Sequence, residues 1–232
     1  MTEVHLLCAG AAQGLVRALE SRFSAATEAR LQAQFGAVGA MKEALLAGAA
    51  CDVMVVTAAM IEDLIAAGKL RSGTGAALGK VRTGIGVRAG DPAPKVDTPE
   101  ALHAALLAAE AIYFPDPLRA TAGIHFARVM RELGIEEQLR PRFRTYPSGA
   151  IAMRELAVAT APRAIGCTQV TEIKYTPGLS LVGMLPGRFE LATVYQAAIS
   201  AQAAQPELAA RFIALLTGPE SQALRADSGF EI

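Results

Sequence analysis

The chain has 232 residues, 52% of them hydrophobic and 19% charged, with a mean hydropathy of +0.32. That is enough apolar material for one large domain or two modest ones. Lys plus Arg and Asp plus Glu both number 22 and no basic stripe appears, which removes the electrostatic footprint of a nucleic-acid binder. No charge-free apolar run reaches the roughly 18 residues that a membrane span needs.

The pattern predicts a first strand over Val4 to Cys8, ending in Ala9-Gly10-Ala11-Ala12-Gln13-Gly14. No basic segment followed by an apolar one precedes it, so the protein is expected to be cytoplasmic, or periplasmic if a leader has been removed. Leu15, Leu19 and Phe23 then recur one helical turn apart. Small residues at such a strand-to-helix junction let a ligand approach backbone. A weaker strand ends near Phe35, and Gly36-Ala37-Val38-Gly39 leads into a helix with Met41, Ala44 and Leu45. Cys51 to Val56 is β-branched and nearly continuous, the pattern of a buried parallel strand. Thr57 can cap the next helix, whose inner face is Ile61, Leu64 and Ile65. Three strand-to-helix units in so short a span imply a doubly wound α/β sheet.

From Lys80 the texture changes. Val81, Thr83, Ile85 and Val87 alternate with polar or small residues, and a proline-rich loop follows, as a crossover between two lobes or an edge strand would. Thr98-Pro99-Glu100 is a helix opening, with cap oxygen, proline and acid in order. The central stretch runs from Ile112 to Gly134. A short apolar strand breaks at Pro115-Asp116-Pro117, and past Arg119, Thr121 and Gly123 a helix face appears at Phe126, Val129, Met130 and Leu133. A tight polar loop between strand and helix leaves free N–H groups and a positive dipole end, which favours an anionic ligand. Pro147-Ser148 starts another helix, Ala164 to Cys167 is a strand running into Thr168-Gln169-Val170-Thr171-Glu172, and Leu179 to Met184 is a further strand. The remainder, including the apolar run Phe189 to Gln202, reads as mostly helical.

The chain thus divides into two α/β lobes, residues 1–82 with 186–232 and residues 83–185, with a hinge at their two crossings and a ligand between them. Candidate contacts are polar groups at the strand-to-helix junctions: Gln13, Thr57, Ser148, Gln169 and Thr171, with Thr121 as contact or helix cap. Arg119 could grip a carboxylate with two parallel hydrogen bonds. The cysteines, Cys8, Cys51 and Cys167, match no zinc or redox spacing and read as small buried hydrophobes. No His pairs with a Cys or Asp at metal-ligand spacing, and no nucleophile–base arrangement can be built. No metal, cofactor or catalytic residue is therefore assigned.

The segments VRTGIGVRAGDPAP, DPLRATAGIHFARVMRELGI, IGCTQVTEI followed by LVGMLP, and the terminal TGPESQALRADSGFEI together carry a resemblance. Over nearly its whole length the chain resembles a type II periplasmic solute-binding protein, nearest the molybdate-binding components of ABC transporters. The resemblance implies two Rossmann-like α/β lobes joined by a two-strand hinge. It implies a small anionic ligand, an ABC permease as partner, and a monomer. The anion-holding positions of that family correspond here to Ala11 with its neighbour Ala12, Gly39 or Val38, Ala122, Pro147 or Ser148, and Gln169. Two serines of the family pattern are apolar or glycine here and its tyrosine is Gln169, so backbone N–H groups remain while hydroxyls are lost. An organic di- or tricarboxylate is expected over molybdate or another tetrahedral oxyanion. A related branch resembles aconitate isomerase, for which His125 and Glu172 are the bases within reach of the loops; solute capture without turnover is the leading expectation.

Overall fold

The computed structural model describes residues 2–232. The first half of the chain comprises β1 (Glu3–Ala9), α1 (Gln13–Thr27), β2 (Arg30–Gly36), α2 (Val38–Leu46), β3 (Val53–Thr57), α3 (Ala58–Ala66), β4 (Ala76–Arg88) and α4 (Pro99–Ala108). Next come β5 (Ile112–Pro115), α5 (Thr121–Glu132), the single turn α6 (Glu136–Leu139), β6 (Phe143–Tyr146), α7 (Gly149–Ala157), β7 (Ile165–Gln169) and α8 (Val170–Tyr175). The chain finishes with β8 (Leu179–Met184), β9 (Ala192–Ile199), α9 (Pro206–Thr217) and α10 (Gln222–Ser228). It forms two compact units: the residues up to Val81 together with Thr193–Ile232, and Arg82–Ala192. The passages between them fall inside β4 and at the start of β9.

In the first unit β1 pairs in parallel with both β2 and β3, and β9 pairs antiparallel with β3. The parallel strands are continuous apolar runs because both faces are covered: Leu6, Leu7 and Cys8 of β1 and Val53 to Val56 of β3 are all at most 1% exposed. Phe23 of α1 meets Phe212 of α9 edge-to-face, ring centroids 5.0 Å apart, which fixes α9 onto this unit. Asp52, 1% exposed, accepts backbone N–H bonds from His5 and Gln205 at 2.8 Å each, so one buried carboxylate ties β1 to the turn that opens α9. The last residues are sewn to β4 by reciprocal bonds between Lys80 and Glu231, both 2.7 Å.

In the second unit β4 lies antiparallel to β7 and β8, while β5 runs parallel to β6 and β7. One face of this sheet carries Ile85, Val87, Phe114, Ile165 and Cys167 against Leu102, Leu106, Phe126, Val129 and Met130 of α4 and α5. The other face carries Ala111, Tyr113 and Ala164 against Ala152, Met153 and Leu156 of α7 and Ile173 of α8. Leu185 and Phe189 also lie in the first of these cores, and the chain rejoins the first unit at Thr193.

Two readings of secondary structure are corrected. The run Phe189 to Gln202 is not helical. After one turn at Gly187–Phe189 it forms strand β9, in register with β3 from Val53↔Ile199 to Thr57↔Tyr195. The strand before Gln169 extends through that residue, so Thr168 and Gln169 belong to β7 and not to the loop beyond it.

Candidate functional site

Parallel pairing decides where the loops of each unit gather. In the first unit Ala9 of β1 stands opposite Gly36 of β2, and β3 runs the same way beside β1, so the carboxyl ends of all three strands share one edge. Ala11 and Ala12 form a buried single 3-10 turn there, and Gln13 begins α1 with its N–H bonded to the Gly10 carbonyl. Gly39 is the second residue of α2, behind Val38, and is half-buried. Thr57 ends β3 and caps α3, its Oγ1 accepting from Met60 N at 3.4 Å. Accepting that bond leaves the Thr57 O–H proton to donate elsewhere. The edge therefore offers small side chains and the starts of three helices, whose first N–H groups have no intrahelical acceptor.

The second unit repeats the design. Pro115 of β5 stands opposite Tyr146 of β6, and β7 lies parallel on the other side of β5. After β5, Asp116 closes the turn: its Oδ1 accepts from Leu118 N at 2.7 Å and Arg119 N at 3.2 Å, and its carbonyl accepts from Ala120 N at 3.1 Å. Arg119 is exposed, Thr121 half-buried and Ala122 buried. Thr121 opens α5 but does not cap it. The cap position is Ala120, which has no side-chain bond to the helix, so the capping alternative for Thr121 is replaced by the Asp116 turn. Ser148 does cap α7, with Oγ accepting from Ile151 N at 3.4 Å while 6% exposed. Replacing it, Ser148→Ala, is expected to lower the urea-unfolding free energy by about 1 kcal/mol, read from the denaturation midpoint at an unchanged slope.

Gln169 and Thr171 differ from the other candidates. They are 3% and 4% exposed, and neither the Gln169 amide atoms nor Thr171 Oγ1 has a hydrogen-bond partner among the described residues. Thr83 of β4, 0% exposed, lies directly opposite Gln169 in the β4–β7 ladder, and its Oγ1 is also unpartnered. Sequence reasoning missed Thr83 as a site residue. The signal was its place as the one polar residue in the inward alternation Val81, Thr83, Ile85, Val87.

Neither candidate base is presented at a loop. His125 Nε2 sits 2.8 Å from the Phe189 carbonyl, which fixes the ring as a structural link. Glu172 is 6% exposed on the α7 side of the sheet, where Thr168 Oγ1 donates to it at 2.5 Å and Ala150 N at 3.1 Å. Burial pushes its carboxyl up to about 7, against the opposing pull of those hydrogen bonds. The three cysteines are unbridged and buried, and burial raises all three thiols, Cys51 to about 12, so none is a ready nucleophile. Among the described residues, no cluster of three or more His, Cys, Asp or Glu is placed to hold a metal ion, and no helix is long and apolar enough to cross a membrane.

Comparison with known proteins identifies the fold. The periplasmic molybdate-binding protein of Azotobacter vinelandii superposes with a TM-score of 0.82 at 20% identity, covering 100% of this chain and 99% of that one. The sulfate-binding protein of Mycobacterium tuberculosis superposes with a TM-score of 0.75 at 17% identity, covering 99% and 86% respectively. In sequence, an aconitate isomerase of a Pseudomonas species is 22% identical over 237 residues, which span 100% of this chain and 88% of the relative. The sequence pattern of one family, described as bacterial extracellular solute-binding protein, matches residues 4–231. With nearly every residue inside that match, the chain belongs to the bacterial extracellular solute-binding protein family.

Proposed function

We propose that this protein captures a small organic di- or tricarboxylate at the carboxyl ends of its parallel strands. It would serve as the substrate-binding component of an ABC transporter in the periplasm, or as a soluble sensor. The observation that carries the reading is the pair of loop-bearing strand edges, one in each unit, where helix starts supply N–H donors beside small side chains. The molybdate- and sulfate-binding relatives support an anion as the ligand class. Carboxylate is favoured over a tetrahedral oxyanion because the first two loops present Ala11 and Gly39. Each hydroxyl missing from an anion's shell forfeits about 1.5–3 kcal/mol of charge-assisted bonding, and the space gained suits a larger, flatter ligand.

Isothermal titration with citrate, cis- and trans-aconitate, smaller dicarboxylates, sulfate and molybdate tests this directly. Micromolar or tighter binding of at least one carboxylate is expected, and tight binding of molybdate alone would overturn the assignment. Gly39→Asp and Thr121→Asp place a carboxylate in the first turn of α2 and of α5, where it favours the helix and so spares the fold. Each is expected to weaken carboxylate binding by about tenfold or more through like-charge repulsion. Loss of affinity in both variants is the result expected if each unit supplies donors; unaltered affinity in either removes that unit's edge from the site.

The aconitate isomerase relative, matched across the whole chain, favours a second reading: proton transfer on an unsaturated tricarboxylate. Against it stand the engaged His125 ring and the enclosed Glu172 carboxyl. Proton NMR of aconitate with a catalytic amount of protein separates the readings, since conversion beyond one equivalent demotes passive capture.

A further inference from the structure

Buried polar side chains in folded proteins almost always have partners, so a cluster without them calls for one. Gln169 closes β7 at the edge where the second unit gathers its loops, and both Oε1 and Nε2 are buried and unpartnered. Thr83 faces it across the ladder and Thr171 follows two residues on, each with an orphan hydroxyl. Thr83 and Gln169 share one sheet end and Thr171 stands in the first turn of α8 that follows it, yet the three do not satisfy one another.

The chemistry of a primary amide limits what could complete this group. Nε2 only donates and Oε1 only accepts, while each threonine hydroxyl can do either. A fully ionised oxyanion or a plain carboxylate offers acceptors alone. It could take Nε2 and the hydroxyl protons, but it would leave Oε1 facing negative charge. A ligand with a donor next to its acceptors satisfies both ends of the amide. Resting on the carboxylate reading above, we infer that the preferred ligand is a hydroxy-substituted di- or tricarboxylate and that Gln169 reads its hydroxyl. The helix starts described above hold the carboxylates, and the amide then discriminates among carboxylates of equal charge. A site built around a substrate hydroxyl penalises the analogue lacking it, because the site's own polar groups are left bare.

The test pairs ligands that differ only in that hydroxyl, malate with succinate and citrate with tricarballylate, titrated at pH 8 into the full chain. In at least one pair the hydroxylated member is expected to bind about tenfold or more tightly, and Gln169→Leu, close in volume, is expected to bring the ratio to within about threefold. Equal affinity within both pairs overturns the inference while leaving carboxylate capture standing; this is also what an internal water bridging the three side chains would produce. A large ratio that survives in Gln169→Leu removes Gln169 as the reader. Failure of all four acids to bind overturns this inference, and carboxylate capture falls with it only where the aconitates and the other dicarboxylates fail as well. The unmodified protein already gives the first of these outcomes, and Thr83→Val, which deletes one orphan hydroxyl at constant shape, serves where the leucine variant does not fold; it is expected to lower the ratio.

Discussion

Gly123→Ala is expected to lower the melting temperature by about 10 °C or more, from a cost above roughly 3 kcal/mol. Gly123 is the third residue of α5, and a Cβ there would collide with the backbone carbonyl oxygens of Pro115 and Asp116, with the Asp116 carbonyl carbon only 2.8 Å away. Overpacking a core usually costs less because a side chain swings aside, but here the obstacle is backbone. That backbone is pinned by the bond from Asp116 N to the Tyr146 carbonyl at 2.7 Å, by the turn on the Asp116 carboxylate, and by prolines on both sides. Relief would have to come from α5 lifting away from the sheet, taking Phe126 off its edge-to-face contact with Phe114 at 5.5 Å and unsettling Val129 and Met130. The close approach that forbids a methyl group also sets the first N–H groups of α5 over the end of β5. Circular dichroism melts of the variant decide the matter: a melting temperature within about 2 °C of the parent would show that the loop yields and that α5 is not clamped.

The elements legible in the sequence are those whose pattern is set locally or by burial on both faces. Val53 to Val56 announces a buried parallel strand, and Phe126, Val129 and Met130 announce the inner stripe of α5, since both are dictated by what the core excludes. The Thr57, Thr98 and Ser148 caps were readable for a similar reason, the bond being made three residues on. Strand β9 was not readable. Ala192–Ile199 mixes alanine with Val194 and Tyr195, and only the ladder with β3, distant in sequence, makes it a strand. Short β6, with Arg144 and Thr145 exposed, carries almost no pattern of its own. At the candidate site, the loops could be named because parallel strands must present their carboxyl ends together. The pairing of Thr83 with Gln169 could not be, since it depends on antiparallel register. Nor could the burial of Glu172: four consecutive buried residues, Val170 to Ile173, leave no polar face to mark which side chain is enclosed.

Glu172→Gln should stabilise the protein by about 3 kcal/mol at pH 8 and leave it unchanged near pH 4.5. The carboxyl is enclosed so tightly that a Cβ on Gly149 would stand 2.6 Å from its Cδ, and burial accordingly raises it from an ordinary 4.5 to about 7. Between those values the folded chain keeps a proton that the unfolded chain has released. Stability must therefore fall as pH rises through this window, being greatest below pH 4.5 and fully reduced above 7. The glutamine variant mimics the protonated acid at every pH. Its carbonyl can accept from Ala150 N, now 3.1 Å from Glu172 Oε1, and its amide can donate to Thr168 Oγ1, where the neutral acid would place its own proton. Urea unfolding of both proteins at pH 4.5, 6 and 8 should give curves that coincide at the lowest pH and separate progressively above it. Parallel curves with no separation would mean that Glu172 is ionised throughout and that the hydrogen bonds from Thr168 and Ala150 outweigh burial. A variant less stable than the parent at every pH would mean that the ionised carboxylate itself holds the start of α7 to the turn of α8.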